Sequence, residues 1–508
     1  APPAPPVAAA LPAAPPADAT FQPATAEWGG RAFGRLHVSA IRSDVQTVVR
    51  SPAMIRDSGE DGYLLLMVTD GASIGGVLRH LMHTAGPIGL YAAFRLVQAG
   101  HRVVIWEKGC IASNVEQWGH VTLFSAMALN LPDDCRKALE TGLEGAPPRC
   151  VPSKDAFLTG SEFRRDVLLP LASYLQATGR CTIQEHCSVV GLARGHLLKK
   201  EGIGAVGDSR RETLPFRALL RRNDDEAWEE AMAVVDCSGT YAPETAQRSG
   251  SGGLSAPGEA RAEALGLVSR VIPSPGSFKG KRVAVLGGGF SAITTIRKLA
   301  DENVEVVWLV RKAKSEAPYQ RVEGDPLPQR DALAAYGNGL ASLGTSGSLT
   351  CVRGARIQRI DVLNNSLKLT LTNETVVEAD HLVSLTGYRP NADLYRELHV
   401  HQCYASDGPM KLAATLLAAA AGGGGGDCLK QAAPGAATLR NPEPRFYILG
   451  MKSYGRNSSF LMRVGYEQCA LLVEELADCR TLEPFRAPPG APDPPEDDAA
   501  AGLGVAVA

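Results

Sequence analysis

Short runs of aliphatic and β-branched residues punctuate this chain, separated by glycine turns and by stretches with helical spacing. The clearest run is Arg282–Leu286 (RVAVL), unbroken and apolar, the pattern of a strand buried on both faces. Three glycines follow, then a helical stretch through Ala300, then a second apolar run, Val304–Val310. A similar order occurs earlier: a turn at Thr84–Gly89, an Ala-rich helix to Gly100, and the strand Arg102–Trp106. Further strands are predicted at Cys181–Val190, Phe216–Leu220, Ala233–Tyr241, Ile357–Leu363, Leu367–Leu371 and Val376–Leu382. Residues 158–178 carry Phe163, Val167, Leu168 and Leu171 on one side and predict an amphipathic helix. From Arg445 the pattern is strand, turn at Gly450, then a helix bearing Leu471, Leu472, Val473 and Leu476.

Alternation of strand and helix predicts an α/β chain with two Rossmann-like dinucleotide-binding domains, the second inserted in the first. The expected layout is a disordered Ala/Pro-rich extension over 1–55 and a first domain over 60–270. The second domain follows over 271–388. The first then resumes over 389–482, and an acidic, Pro-rich disordered tail runs from 483 to 508. Residues 201–213 read as a polar surface loop, and 404–440, with AAAAGGGGGD, as a low-complexity surface insertion. One place breaks the pattern. The segment before Thr84 (VLRHLMH) puts Arg79, His80 and His83 where a buried strand belongs, whereas Tyr63–Thr69 (YLLLMVT) is a better strand lying too far upstream. Either the loop carries an insertion or the sequence departs locally from the natural product. His80 and His83 have metal-ligand spacing without a partner cluster, so no metal is expected.

Composition narrows the class. Net charge is −2, which gives no electrostatic footprint for nucleic acid. Eleven cysteines include no C-x-x-C; the nearest two, Cys181 and Cys187, have five residues between them. That cysteine pattern predicts reduced thiols in an intracellular, soluble protein, cytoplasmic or organellar; the N-terminal extension, without the Arg and Ser enrichment of a targeting peptide, does not decide between them. No apolar run is long enough to span a bilayer. Oligomeric state is left open.

The candidate chemistry lies at the glycine turns. Gly287, Gly289 and Ala292, with Ser291 between, have G-x-G-x-x-A spacing: a tight turn, close approach of a pyrophosphate, and close packing of helix on strand. The second strand ends at Arg311 and Lys312, where an acidic residue would bind a ribose 2′-hydroxyl. Two cations suit a 2′-phosphate, so NADPH is expected over NADH. In the earlier unit Gly86 and Gly89, with Pro87, occupy the second and third glycine positions. Thr84 stands in the first, and Glu107–Lys108 close the following strand. An adenine dinucleotide there would be FAD, its pyrophosphate at the helix N-terminus and its ribose at Glu107. Trp118 and His120, in EQWGHVTLFS, are candidates for the flavin pocket, with a packed aromatic and a hydrogen-bonded histidine as the alternative. Gly239 (SGT) and Gly387 (LTG) end two strands that bracket the later unit and suit crossings close to a cofactor.

Taken in order, GPIG with Glu107, SGT, GGGFSA with Arg311, LTGYRPN and ILGMKSYGR resemble the two-dinucleotide-binding-domain flavoproteins over roughly residues 80–480. That superfamily includes thioredoxin reductase-like enzymes and flavin-containing monooxygenases. Bacterial-type FAD/NAD(P)-binding oxidoreductases share WGHVTLFS- and GMKSYGR-like stretches. The resemblance implies an FAD- and NADPH-dependent oxidoreductase in which reduced flavin reacts with oxygen to oxygenate a small molecule. No redox cysteine pair has a usable spacing, against the disulfide reductase branch. The monooxygenase fingerprint begins at Phe278-Lys-Gly280 but lacks its histidine. Met451 and Lys452 replace the Asp that usually holds the flavin side chain, leaving Ser453 or backbone amides to do so, with Gly450 beside them as a further cofactor-binding candidate. The catalytic residue is unassigned, with His120, Lys452 and Arg456 as candidates. Two alternatives stand: a reductase or dehydrogenase without oxygenation, and a degenerate nucleotide-binding protein without activity.

Overall fold

The computed structural model describes residues 79–83, 85–144, 147–203, 209–241, 243–421, 433–458 and 460–477. Its first parallel sheet begins with β1 (Arg79–His83), followed by helix α1 (Pro87–Gln98), β2 (Arg102–Trp106), α2 (Leu169–Ala177), β3 (Cys181–Gln184) and β4 (Ala233–Asp236). The chain then leaves for a second sheet built around β5 (Arg282–Leu286), with α3 (Phe290–Asp301), β6 (Glu305–Val310) and β7 (His381–Ser384). It returns through α4 (Met410–Ala419) to β8 (Phe446–Ile448), which joins the first sheet, and ends in α5 (Met462–Glu475). The strand order of the first sheet is β8-β4-β1-β2-β3. In the second, β5 lies between β6 and β7. This is the expected insertion of one nucleotide-type domain in another.

Strand β1 corrects the sequence reading. RHLMH, too polar by composition, is the central strand: it pairs in parallel with β2 from Arg79↔Arg102 to His83↔Trp106, and with β4 from His80↔Ala233 to His83↔Asp236. Backbone pairing on both sides overrides the low strand propensity of these residues. Tyr63–Thr69, the better strand by composition, lies outside the described residues, as do the expected disordered extension at 1–55 and tail at 483–508.

Three other expectations change. The helix at 158–178 is present but widens into a π-turn at Arg164–Leu168, just ahead of Pro170, which has no N–H to donate. The supposed insertion at 404–440 contributes α4 and the turn Ala436–Leu439, with Leu412 and Leu439 buried; its glycine tract at 422–432 is outside the described residues. The polar loop at 201–213 contains Arg211, which is buried and reaches Glu443 Oε2 at 2.7 Å. Glu443 also accepts from Arg194 Nε at 2.8 Å and His399 N at 2.9 Å, so one carboxylate bridges two buried guanidiniums. These contacts bind the returning chain to the antiparallel sheet at 188–231.

In the second domain His381, on β7, lies against Phe278 and 3.1 Å from Ser269 Oγ. Burial, reinforced by Lys281, lowers its imidazole from the ordinary 6.5 to about 4. The folded state therefore holds a neutral ring where the unfolded chain takes a proton. Stability contributed by this group is present above pH 6.5 and is lost as pH falls towards 4. Thermal melts across that window are expected to show a shallower acid loss in His381→Asn than in the wild type. Parallel pH profiles would contradict the assignment.

Candidate active site

Each domain presents a helix N-terminus at the carboxyl edge of its central strand. Helix α1 starts on Gly86 and α3 on Gly289, and neither has a side-chain cap. A Cβ at either glycine would meet no atom within 4 Å. Uncapped N–H groups facing open space form an anion seat, and the helix dipole adds to it. Pro87 in the first turn removes no useful donor. Gly89 is buried one turn in. Thr84 lies outside the described residues.

Glu107 stands where the first cradle needs it. Its carboxylate is buried and accepts from Ala85 N at 2.8 Å and Gly109 N at 2.9 Å, fixing the turn from behind. A carboxylate has about four lone-pair sites, more than these two bonds use. Lys108 points elsewhere, to Glu244 at 3.4 Å on the surface.

The second cradle is more tightly specified. Gly287 has φ +145°, and a Cβ there would come within 2.4 Å of Leu385 O, so only glycine fits. Ala292 packs beside it without exposure, and Ser291 follows the helix start, its carbonyl accepting from Thr295. Trp308 Nε1 donates to Gly287 O at 2.8 Å, and Tyr319 OH to Gly289 O at 3.1 Å, holding the turn open. Arg311 is exposed at the end of β6; Lys312 donates to Ala317 O at 3.1 Å.

The late turn closes over the first cradle. Gly450 (φ +70°) and Gly465 flank Ile88 of α1, where Cβ atoms would meet its side chain at 3.1 and 2.5 Å. Gly450 N donates to Gln468 Oε1 at 2.8 Å, Gln468 Nε2 to Ser453 Oγ at 2.9 Å, and Ser453 Oγ to Gly450 O at 2.7 Å. The Ser453 hydroxyl donates inside this ring, to a backbone carbonyl of its own turn.

Lys452 is buried, not presented to a phosphate. Its ammonium lies 2.6 Å from Asp236 Oδ2 and 2.9 Å from Ser238 Oγ, and 5.1 Å from the centroid of the Tyr395 ring. Arg456 reaches Asp407 Oδ2 at 2.6 Å on an exposed loop. The structure therefore does not bring Lys452 and Arg456 together. Nor does it join them to His120, which lies at the domain seam near Lys298 of α3 and Glu302 just past its end. Burial, with Lys298 adding to it, lowers the His120 imidazole from its ordinary value. Trp118 packs on the first core, its ring over Gly160.

The chain crosses between domains twice, after Gly239 (φ +68°) and at Gly387 (φ +102°). The two crossings run side by side: Gln247 N donates to Gly387 O at 2.8 Å, Arg389 N to Thr245 O at 3.0 Å, and the Tyr241 and Tyr388 rings lie 4.9 Å apart. Sequence reasoning placed both glycines here. It missed the Asp236–Lys452 pair, because two oppositely charged residues 216 positions apart carry no local signal.

Residues 254–411 match the family model described as pyridine nucleotide-disulphide oxidoreductase, a segment that holds the second cradle. The whole arrangement is similar to bacillithiol disulfide reductase Bdr (YpdA) from Bacillus cereus, with a TM-score of 0.57 and 16% identity, over 80% of this chain and 100% of that one. The same reductase from Staphylococcus aureus gives 0.54 and 14%, over 80% and 99%. These likenesses show the fold: two Rossmann-type dinucleotide-binding domains in one chain, the second inserted in the first. Both open cradles fit the pyrophosphate of a dinucleotide. A stretch of 47 residues is 66% identical to the transcriptional activator NphR of a Rhodococcus species; the chain spans 14% of that curated relative's length, and the match covers 9% of this chain. Among the described residues no helix is long and apolar enough to cross a membrane.

Removing the Lys452 ammonium would leave Asp236 charged, buried and short of a partner, which costs about 3–5 kcal/mol. Lys452→Met is expected to lower the urea midpoint accordingly, and Asp236→Asn added to it to recover part of the loss. An unchanged midpoint in the single variant would show that the pair is not formed.

Proposed function

We propose that this flavoprotein oxidises NADPH and passes the electrons to oxygen, thereby oxygenating a small molecule. The observation that carries the reading is the pair of uncapped, glycine-started helix N-termini, one per domain, in a single chain. Bound flavin would supply the chemistry of accepting a hydride and handing electrons on. The chain's own residues bind and orient. Glu107 would take the FAD ribose, the N–H groups at Gly86 and Gly289 the two pyrophosphates, and Arg311 with Lys312 the 2′-phosphate. Thiol exchange is not favoured by the cysteines at the first cradle. Cys469 Sγ is 3.7 Å from Ile88 O, both Cys237 and Cys469 are buried, and burial raises both thiols far above the ordinary range. A second reading, an NADPH-dependent reductase, draws on the names of the two similar solved structures.

The test is NADPH consumption by FAD-loaded protein across sulfur, nitrogen, arsenic and ketone compounds, with and without isotopically heavy oxygen. Substrate-dependent consumption that needs oxygen and labels the product is expected. Equal turnover without oxygen favours the reductase, and colourless protein that ignores FAD contradicts both readings. In the same assay Arg311→Glu is expected to lower kcat/KM for NADPH about tenfold to a hundredfold, the weight of a charge-assisted contact of ~1.5–3 kcal/mol, and to spare NADH. An unchanged coenzyme preference would remove Arg311 from the 2′-phosphate site.

A further inference from the structure

The loop after β2 is two-faced. Between Trp118 and Ser125, Trp118 and Leu123 pack against the first domain's core, whereas Val121 and Phe124 pack against the second's. Its footing in the first domain is rigid. Leu123 N donates to Leu158 O at 2.9 Å, Gly160 N to Val121 O at 3.0 Å, and Ser161 N to Gly119 O at 2.8 Å. The partner segment is itself fixed by a capping box, Thr159 with Glu162. At the far end Ser125 and Asn130, both buried, are joined by hydrogen bonds of 3.0 and 2.8 Å.

From this anchored strap Phe124 reaches out to Phe290, edge to face, with ring centroids 5.4 Å apart. Phe290 is the first residue of α3, next to the glycine that opens the second cradle. It also lies 5.6 Å from the ring of Tyr319, whose hydroxyl holds Gly289 O. A continuous line of contacts therefore joins the first domain to the pyrophosphate turn of the second. Phe124 does not fill that turn, because a Cβ at Gly289 still meets nothing within 4 Å.

Hydride transfer requires the two reacting atoms within about 3–3.5 Å, and a misplacement of about 1 Å costs on the order of a hundredfold in rate. In a chain whose cradles sit on different domains, something must set that spacing. We infer that Phe124 is a positioning residue: through Phe290 it fixes the second cradle against the first domain and so sets the nicotinamide against the flavin. This rests on the oxidoreductase reading above.

The test is anaerobic stopped-flow reduction of FAD-loaded protein by NADPH, which separates NADPH affinity from the limiting rate of flavin reduction. Phe124→Ala is expected to lower the limiting rate about tenfold or more while changing the Kd for NADPH less than about threefold, and Phe124→Tyr to restore the rate. A weakened Kd with an unchanged limiting rate would overturn the inference and make Phe124 part of the NADPH pocket. Hydrogen exchange on cofactor-free protein supplies a readout independent of turnover. Residues 119–126 and 288–293 are expected to lose protection together in Phe124→Ala while the capped segment at 159–163 keeps it; protection unchanged at 288–293 would also overturn the inference. If wild-type flavin is not reduced by NADPH at all, the oxidoreductase reading fails instead, and the exchange result still judges the contact.

Discussion

The buried ion pair between Asp236 and Lys452 holds a discontinuous domain closed. Asp236 ends β4, just before the chain departs for the second domain, and Lys452 follows β8, just after it has come back. Desolvating both ions costs several kcal/mol each, and only good geometry offsets it. Here the ammonium has Asp236 and Ser238 as partners and an aromatic face nearby, while Asp236 Oδ1 accepts from Ser238 N at 3.0 Å and Ser238 Oγ at 2.7 Å. Leu449 N donates to Asp236 O at 3.0 Å, continuing the β4–β8 pairing to the edge of the cradle. With that join in place, the late turn is brought to Ile88 and α1, and the first cradle has a roof.

The inserted domain is secured by a different kind of contact. Its two crossings are bonded to each other along their backbones. The buried network of Glu259, Arg270, Ser249 and Ser384 anchors them to the second sheet, with Arg270 2.6 Å and Ser249 Oγ 2.9 Å from Glu259 Oε1 and Ser384 2.8 Å from Ser249. Polar crossings and an aromatic strap leave two domains that are separately packed yet joined at defined points.

Much of this was legible in the sequence because it is local. Gly287 is needed for a positive φ beside Leu385, and Gly289 leaves room at a helix start; both follow from spacing within a few residues of one strand. Gly239 and Gly387 were likewise marked by the strands that precede them. What could not be read is non-local. The polar strand Arg79–His83 is central because two distant strands pair with it. Lys452 read as a candidate catalytic cation, and its burial depends on Asp236. Ser453 looked available for a cofactor, and Gln468, on α5, places its hydroxyl inside the turn. Residues 404–440 looked dispensable by composition, yet Leu412 and Leu439 are core.

The central claim is that one chain carries two separate dinucleotide cradles. Calorimetric titration of the cofactor-free protein tests it most directly, with FAD first and NADP+ second. One FAD and one NADP+ per chain, each bound with the other present, is the predicted result. Displacement of FAD by NADP+, or a single dinucleotide site in total, would contradict it.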